Sequence, residues 1–237
     1  MKTSDQNPIT RYFLRLALAA MLLPLASTRA ADVALLNSPT GNATFVANFQ
    51  AFIESEGHSF VRNPATLTGI DVVFDIRITG NQALIDFVAG GGLLVTEFSG
   101  TNWVLNTAHL LTGTDASAGN LGSGTPVTFT SAGLARGLGD GLPNPYSDGS
   151  ATEFFRNYTN LGPDVEILAT RGANLPAIIG GSYGEGYIVG IGYDWGDAFI
   201  PNTAPTRQLI HNVLAVPEPG SAALLALGSF VFLRRRR

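Results

Sequence analysis

The sequence predicts an α/β protein built on a single doubly wound, mostly parallel sheet, between two hydrophobic terminal segments. Short apolar runs of strand length alternate with amphipathic stretches of helical period through most of the chain. Glycines and capping residues stand between these runs, where turns and helix ends are needed. Strands separated by helices at this spacing form right-handed βαβ units, and such units produce a parallel sheet covered on both faces.

The first half of the domain contains four predicted strands and two predicted helices. The strands are the runs DVALLN (32–37), DVVFDI (71–76) and LLVTEF (93–98), together with a short strand at the end of EGHSFV (56–61), whose first residues form a turn. The first helix has apolar residues at positions 45, 46, 49, 52 and 53, which share one face, and Asn42 is its predicted N-cap. The second carries Leu84, Ile85 and Val88, and we expect it to end at the glycines 90–92.

The second half begins with a stretch, from about residue 104 to 148, that is rich in Gly, Ser, Thr and Asn and in which the alternation of strands and helices is no longer clear. Strands return at 164–170 and in the runs 175–186 and 187–195, which we expect to pair as a hairpin turning at 182–186. A closing helix is predicted from its cap near Thr203, with Pro205 in the first turn and apolar residues at 209, 210, 213 and 214.

The composition of residues 31–215 excludes several classes of protein. This region has six arginines, no lysine and sixteen acidic residues, so its net charge is −10. A nucleic-acid partner is not expected, because polyphosphate binding depends on clustered Lys and Arg. The chain has no cysteine, which rules out disulfides, thiolate metal sites and a cysteine nucleophile.

The first thirty residues have the parts of a secretory signal peptide. Arg11 and Arg15 precede an apolar stretch at 16–26, and small residues follow at Thr28 and Ala30. We expect cleavage after Ala30. The apolar stretch is too short to cross a bilayer as a mature helix.

The last 22 residues, 216–237, combine a proline bracket, an apolar run at 221–233 and a cluster of arginines. Clustered positive charge is held on the cytoplasmic side of a membrane, so the run predicts a short membrane helix. This order closely resembles the PEP-CTERM sorting signal of Gram-negative bacteria. The resemblance implies recognition by an exosortase at the inner membrane and export to the cell surface or the exopolysaccharide matrix. The matching residues are Pro217, Glu218, Pro219, Arg234, Arg235, Arg236 and Arg237.

Residues 31–215 resemble the class I glutamine amidotransferase-like fold, a flavodoxin-like sheet. The similar stretches are LIDFVAGGGLLVTEF (84–98), GLGDGLP (137–143) and YGEGYIVGIGYDW (183–195). Active members of that superfamily carry a Cys nucleophile at a strand-to-helix elbow, with His and Glu later in the chain. Here Cys is absent, and the turn at residues 97–100 reads Glu-Phe-Ser-Gly without the G-x-S-x-G pattern. Amidotransfer is therefore not expected, and we assign no catalytic residue.

Three histidines remain as bases for a nucleophilic triad, and none has an acidic partner nearby in sequence. His58 precedes a strand and His109 is predicted on a short helix near Trp103. His211 is predicted on the closing helix, where its ring either lies at the surface or is partly buried with its hydrogen bonds satisfied.

Polar residues follow the predicted strands at their carboxyl ends, where open parallel sheets bind ligands. Ser38 and Ser99 stand beside the main candidates, which are Asn37, Arg77, Glu97, Asp194 and Asp197. Such a group suits a sugar, through hydrogen bonds, or a hard cation such as calcium. In the alternative interpretation Asp194 and Asp197 cap turns and Arg77 pairs with Asp71 or Asp75. The sequence identifies no metal, and no cofactor is expected, because the turn SPTGN has one glycine and no lysine of a phosphate loop.

Phe154, Phe155 and Tyr158 suggest either a sugar-stacking patch or ordinary core packing. Three hypotheses for the whole protein follow. In the first, the domain is a non-catalytic binding or structural scaffold, sorted by an exosortase to the surface, with exopolysaccharide as a candidate partner. In the second, it is a carbohydrate hydrolase or lyase that uses the carboxylates at the strand ends. In the third, it is a periplasmic sensor that keeps its tail.

Overall fold

The computed structural model describes residues 30–37, 41–77, 79–149 and 151–216. The predicted signal peptide, apart from Ala30, lies outside these residues, as do Ser38 and the sorting tail from Pro217 onward. Ala30 is exposed and stands two residues before the first strand. None of the helices in the described part of the chain is long and apolar enough to cross a membrane.

Ten strands lie in the described residues. They are β1 (Asp32–Asn37), β2 (Ser59–Arg62), β3 (Val72–Ile76), β4 (Leu93–Glu97), β5 (Thr114–Asn120), β6 (Val127–Phe129), β7 (Phe154–Thr159), β8 (Glu166–Arg171), β9 (Leu175–Tyr183) and β10 (Gly186–Ile191).

The helices accompany them in the order expected for an α/β chain. They are α1 (Ala43–Ser55), α2 (Gln82–Ala89), α3 (Ser99–Asn102) with a π-helical turn at Trp103–Thr107, α4 (Ser131–Ala135), a 3-10 helix (Trp195–Phe199) and α5 (Ala204–Leu214).

Eight strands form one sheet in the order β2-β1-β3-β4-β10-β9-β8-β6. The strands from β2 to β10 in this order run parallel, and β9, β8 and β6 continue the sheet with antiparallel pairs. The predicted mostly parallel sheet is therefore confirmed. The predicted hairpin is also confirmed, because β9 and β10 pair through a turn at residues 184–185.

Helices pack on both faces of this sheet because successive strand side chains point to opposite sides. Val33 and Leu35 of β1 join α1, α5 and the 3-10 helix in one core, where the ring of Phe49 lies 5.1–5.6 Å from those of Phe74, Phe199 and Trp195. Ala34 lies on the other face, in a second core with residues of α2 and the π-helical turn. All five residues of β4 are buried, as expected for a parallel strand covered on both sides.

The irregular stretch predicted after residue 104 contains more structure than the sequence indicated. β5 pairs with β7 as a separate two-stranded sheet, and β6 pairs with β8 at the edge of the main sheet. Strands therefore form in this stretch although its local periodicity is unclear. The run TDASAGN of β5 has little apolar alternation, so its pairing depends on a strand far along the chain.

Two of the predicted helix starts differ in how they are capped. Asn42 caps α1 through its side-chain oxygen, which accepts from the backbone N–H groups of Thr44 at 2.9 Å and Phe45 at 3.2 Å. Thr203 occupies the N-cap of α5 but makes no side-chain capping bond; its hydroxyl donates to the Ala198 carbonyl at 3.4 Å. The predicted position of this cap is confirmed.

Candidate ligand-binding cleft

The carboxyl ends of the parallel strands meet at one edge of the sheet, which we call the carboxyl edge. Asn37 is the last residue of β1 and lies opposite Ile76 of β3, while Glu97 at the end of β4 lies opposite both Ile76 and Ile191 of β10. Arg77 directly follows β3. This register explains why side chains from distant parts of the sequence come together at the carboxyl edge.

Arg77 is the centre of an ion-pair network with three acidic residues, here called the Arg77 cluster. Its Nε lies 3.1 Å from Oε2 of Glu97, and its Nη2 lies 2.9 Å from Oδ2 of Asp194 and 4.0 Å from Oδ1 of Asp197. The backbone of Arg77 has φ +55°, a left-handed conformation that is uncommon for a non-glycine residue. The network offsets the cost of this conformation, which is typically about 1–3 kcal/mol.

These partners correct the alternative in which Arg77 pairs with Asp71 or Asp75. The Asp71 carboxylate instead accepts from the backbone N–H of Asp32 at 2.9 Å, at the opposite edge of the sheet. Asp194 and Asp197 also differ from the turn caps that we considered, since Asp194 stands before the 3-10 helix without a side-chain capping bond. Both aspartates instead face the guanidinium.

Glu97 is the buried member of the cluster, with no exposed surface. Its Oε1 accepts from the backbone N–H of Gly196 at 2.9 Å, and its Oε2 accepts from Arg77. Burial raises the pKa of the Glu97 carboxyl to about 8, although Arg77 acts in the opposite direction. Near neutral pH the cluster therefore holds a proton, mainly on Glu97.

Burial also raises the pKa of Asp194 and of Asp197, again against the effect of Arg77. Burial alone lowers the pKa of Arg77, but the three acidic neighbours outweigh it and the net shift is upward. Arg77 thus stays charged among three carboxyl groups.

Gly196 is required at its position by the close approach of Glu97. A Cβ atom there would lie 2.9 Å from Oε1 of Glu97 and 3.5 Å from the ring of Phe45. The absence of a side chain lets the Gly196 N–H reach the buried carboxyl. Gly196 was not among the predicted site residues; the local signal for it is the run YDWGD, in which polar, glycine and aromatic residues follow the last strand.

A cleft of about 300 Å³ opens at the carboxyl edge beside the cluster. It combines apolar walls with polar groups, which is typical of a site for a small ligand. The residues that line it are Asn37, Gly41, Asn42, Phe45, Ile76, Arg77, Glu97, Gly196, Asp197 and Ile200. Asn37 is fixed in this wall because its Oδ1 accepts from Nε of Arg62 at 2.9 Å. Phe45 and Ile200 were not predicted as site residues, since nothing in their local pattern separates them from core residues.

The turn between β4 and α3 has a strained backbone at Phe98, with φ +41° and ψ −95°. The strained residue at this strand-to-helix elbow is therefore a phenylalanine, and Ser99 is already the first residue of α3. The guanidinium of Arg156 packs over the Phe98 ring, with its Cζ atom 4.9 Å from the ring centroid. The elbow thus presents an aromatic ring where a nucleophile would be needed.

The three histidines lie away from the lining of the cleft. Nδ1 of His58 accepts from the backbone N–H of Ala31 at 3.0 Å. His109 follows the π-helical turn with φ +49° and is not in a helix, so the predicted short helix at this residue is wrong. His211 on α5 lies 2.6 Å from Oε2 of Glu56, an acidic partner 155 residues away that no local pattern indicates.

Two other sequence interpretations are not supported in the described residues. No group of three or more His, Asp or Glu side chains there is arranged to hold a metal ion, so the calcium alternative has no site among them. Of the three aromatic residues on β7, Phe155 and Tyr158 are buried in the two cores, and only Phe154 is exposed, at 39%. Of the two interpretations, core packing therefore holds for Phe155 and Tyr158, and the three rings do not form a stacking patch.

Residues 215–237 match the PEP-CTERM protein-sorting motif, and the match includes every predicted sorting residue from Pro217 to the four arginines. The motif indicates an exported protein that is anchored transiently in the membrane and sorted by an exosortase. No curated protein sequence matches the chain significantly.

Solved structures share the fold at low sequence identity. An exo-β-1,4-mannosidase from Opitutaceae bacterium strain TAV5 is 15% identical with a TM-score of 0.54, over 88% of this chain and 39% of its own. A β-galactosidase from Rahnella sp. R3 is 18% identical with a TM-score of 0.53, over 90% of this chain and 36% of its own. A candidate GMP synthase component from Thermoplasma acidophilum is 12% identical with a TM-score of 0.54, over 78% of this chain and 92% of its own.

The chain spans less than two fifths of the length of each glycosidase. At these identities the likeness concerns the fold alone. It gives no preference to the carbohydrate-hydrolase hypothesis.

Proposed function

We propose that an exosortase-type enzyme processes this protein at the inner membrane and releases it to the cell surface or the exopolysaccharide matrix. Residues 1–30 then act as the signal peptide, residues 31–215 as the functional domain and residues 216–237 as a temporary tether. The domain has a flavodoxin-like, amidotransferase-like architecture without its nucleophile and serves as a non-catalytic binding scaffold. The observation that carries the binding function is the cleft beside the Arg77 cluster.

The contacts of Glu97 and Phe98 favour binding over catalysis. Both oxygens of Glu97 are engaged by the protein, through Gly196 and Arg77, so this carboxyl does not reach into the cleft as a general acid. Phe98 occupies the strained elbow. The Arg77 cluster therefore shapes and stabilises the wall of the cleft.

The charge of the cleft indicates the class of ligand. The net charge of −10 on residues 31–215, with three acidic residues around Arg77, opposes anionic ligands such as uronic acids. Asp197, whose side chain is 42% exposed, offers carboxylate oxygens to hydroxyl groups, and Ile200 and Phe45 offer apolar surface. A neutral sugar unit of the extracellular matrix fits this combination.

Binding is tested with the processed protein purified from the producing cells and with neutral oligosaccharides prepared from their matrix. We expect Asp197→Ala to weaken binding about tenfold, the effect of losing about one charge-assisted hydrogen bond. Glu185→Ala is the matched control, because Glu185 is exposed in the turn between β9 and β10, at the other edge of the sheet. Titration calorimetry measures both variants.

Equal affinity of the Asp197→Ala variant and the native protein for these sugars would exclude the cleft as their site. Release of new reducing ends during incubation would instead support the hydrolase hypothesis. Mass spectrometry of the mature C-terminus tests the sorting step: we expect a protein without Arg234 to Arg237, whereas an intact tail would indicate the periplasmic sensor.

A further inference from the structure

Both ends of the described chain lie at the same edge of the sheet, opposite the cleft; we call it the amino edge. Ala31 directly precedes β1, and its carbonyl accepts from the backbone N–H of Ser59 at the start of β2. The chain therefore enters the domain where the parallel strands begin.

The course of α5 brings the other end of the domain to the amino edge. The guanidinium of Arg207 on α5 lies 5.0 Å from the ring centroid of Phe52 on α1. Four residues further along α5, His211 contacts Glu56, which is four residues beyond Phe52 at the end of α1. Helices α1 and α5 are therefore parallel to one another and antiparallel to the strands. Because α1 ends just before β2 begins, α5 also ends at the amino edge, where Val216 packs into the core.

The distance between the amino edge and the carboxyl edge follows from the lengths of the elements that connect them. Strand β1 has six residues and α5 has eleven, which span roughly 20 Å and 16 Å respectively. The cleft thus lies on the order of 16–20 Å from the point at which the described chain ends.

The connection between Val216 and the apolar run of the tail is short. Only residues 217–220 separate Val216 from the apolar run that starts at Ser221. Four residues reach at most about 14 Å, since a fully extended chain spans roughly 3.3–3.6 Å per residue. When the apolar run lies in a bilayer, the amino edge must be close to the lipid surface.

We propose that the tethered protein turns its amino edge toward the lipid headgroups and its cleft toward the extracytoplasmic space. This orientation rests on the proposed function, because it requires the tail to be embedded before release. The amino edge carries exposed acidic residues, among them Glu56 and Glu185, so it offers no electrostatic attraction to anionic headgroups and the tail alone keeps it near the lipid. The cleft can therefore take up its ligand while the protein is still anchored.

Site-specific fluorescence quenching tests the orientation, and the absence of native cysteines makes every introduced thiol unique. Two exposed positions on α1 form a matched pair: Thr44→Cys in the first turn, at the carboxyl edge, and Glu54→Cys in the last turn, at the amino edge. A second pair lies on other elements, Ile200→Cys beside the cleft and Glu185→Cys in the β9–β10 turn. Each full-length variant is labelled with a small fluorophore and reconstituted in liposomes that contain a headgroup nitroxide lipid.

We expect labels at positions 54 and 185 to be quenched at least about threefold more than those at 44 and 200, because nitroxide quenching is short-ranged and positions 44 and 54 are separated by about 15 Å along the helix axis. Equal or reversed quenching in protein that floats with the liposomes overturns the orientation alone. Failure of the full chain to float with them overturns the membrane tether, and the orientation with it. Circular dichroism of each labelled variant confirms that the fold is retained.

Discussion

The carboxyl group of Glu97 combines complete burial with two protein partners, and this combination makes its protonation matter for stability. Its folded pKa of about 8 lies above the usual carboxyl value of 4.5. The folded state therefore binds the proton more tightly than the unfolded state does. Stability from this group is fully present below about pH 4.5 and is lost as the pH rises through 8.

We predict that ionisation of Glu97 lowers the stability of the native protein by on the order of 3 kcal/mol between pH 5 and pH 8, and that Glu97→Gln removes this part of the loss. Glutamine keeps an oxygen for the Gly196 N–H but has no proton to lose in this range. Urea unfolding at pH 5, 6.5 and 8 measures the effect. Asp115, whose pKa burial raises to about 6, stays in the variant and accounts for a smaller remaining slope. Identical slopes in the two proteins would show that Glu97 is ionised across this range.

At the scale of single elements, α1 positions the cleft because its N-terminus forms part of the wall. Asn42 both caps α1 and lines the cleft, while Phe45, three residues later, packs against the 3-10 helix that carries Asp197. A loose first turn of α1 would therefore change the shape of the cleft as well as the stability of the helix.

We predict that Asn42→Ala lowers the free energy of unfolding by about 1 kcal/mol, the usual cost of a lost N-cap. Thr203→Ala at the N-cap of α5 is the control, with an expected loss below about 0.5 kcal/mol, because Thr203 makes no side-chain capping bond. Chemical denaturation at pH 7 compares the two. A larger loss for Thr203→Ala than for Asn42→Ala would contradict the capping assignment.

The elements also show why the sequence predicts one half of the domain better than the other. Strands β1, β3 and β4 are continuous apolar runs next to amphipathic helices, so their burial on two faces is visible locally. Strand β5 is made mostly of polar and small residues, β6 has only three residues, and the partners of both lie tens of residues away. Local periodicity does not encode such pairings.

The same distinction applies to the candidate cleft. The carboxyl ends of parallel strands lie at the same edge of a sheet, so the sequence could place Asn37, Glu97 and Asp194 together there. It could not show that Arg77 bridges residues 20 and 117 positions away, because that depends on the order of β3, β4 and β10 in the sheet. The burial that raises the pKa of Glu97 likewise arises only from the folded packing.

At the scale of the whole molecule, folding and sorting are separable. Among the described residues, the two hydrophobic cores extend from Ala31 to Val216. The sorting motif occupies 215–237, and its described part meets the cores at Val216. Stability should therefore depend on α5, and location on the residues that follow it.

We predict that deletion of residues 217–237 changes the free energy of unfolding by less than about 0.5 kcal/mol but abolishes retention in the membrane fraction. The matched control deletes residues 204–237 and so removes α5 with its buried residues Leu209, Ile210 and Val213. This variant should not fold, because each large buried side chain contributes about 1.5–3 kcal/mol to stability. Urea unfolding and fractionation of the producing cells measure the two properties. A marked destabilisation by the shorter deletion would mean that the tail packs on the domain, and a folded protein after the longer deletion would mean that α5 is not part of its core. Either result would contradict the division of the chain into an autonomous α/β domain and a dispensable sorting segment.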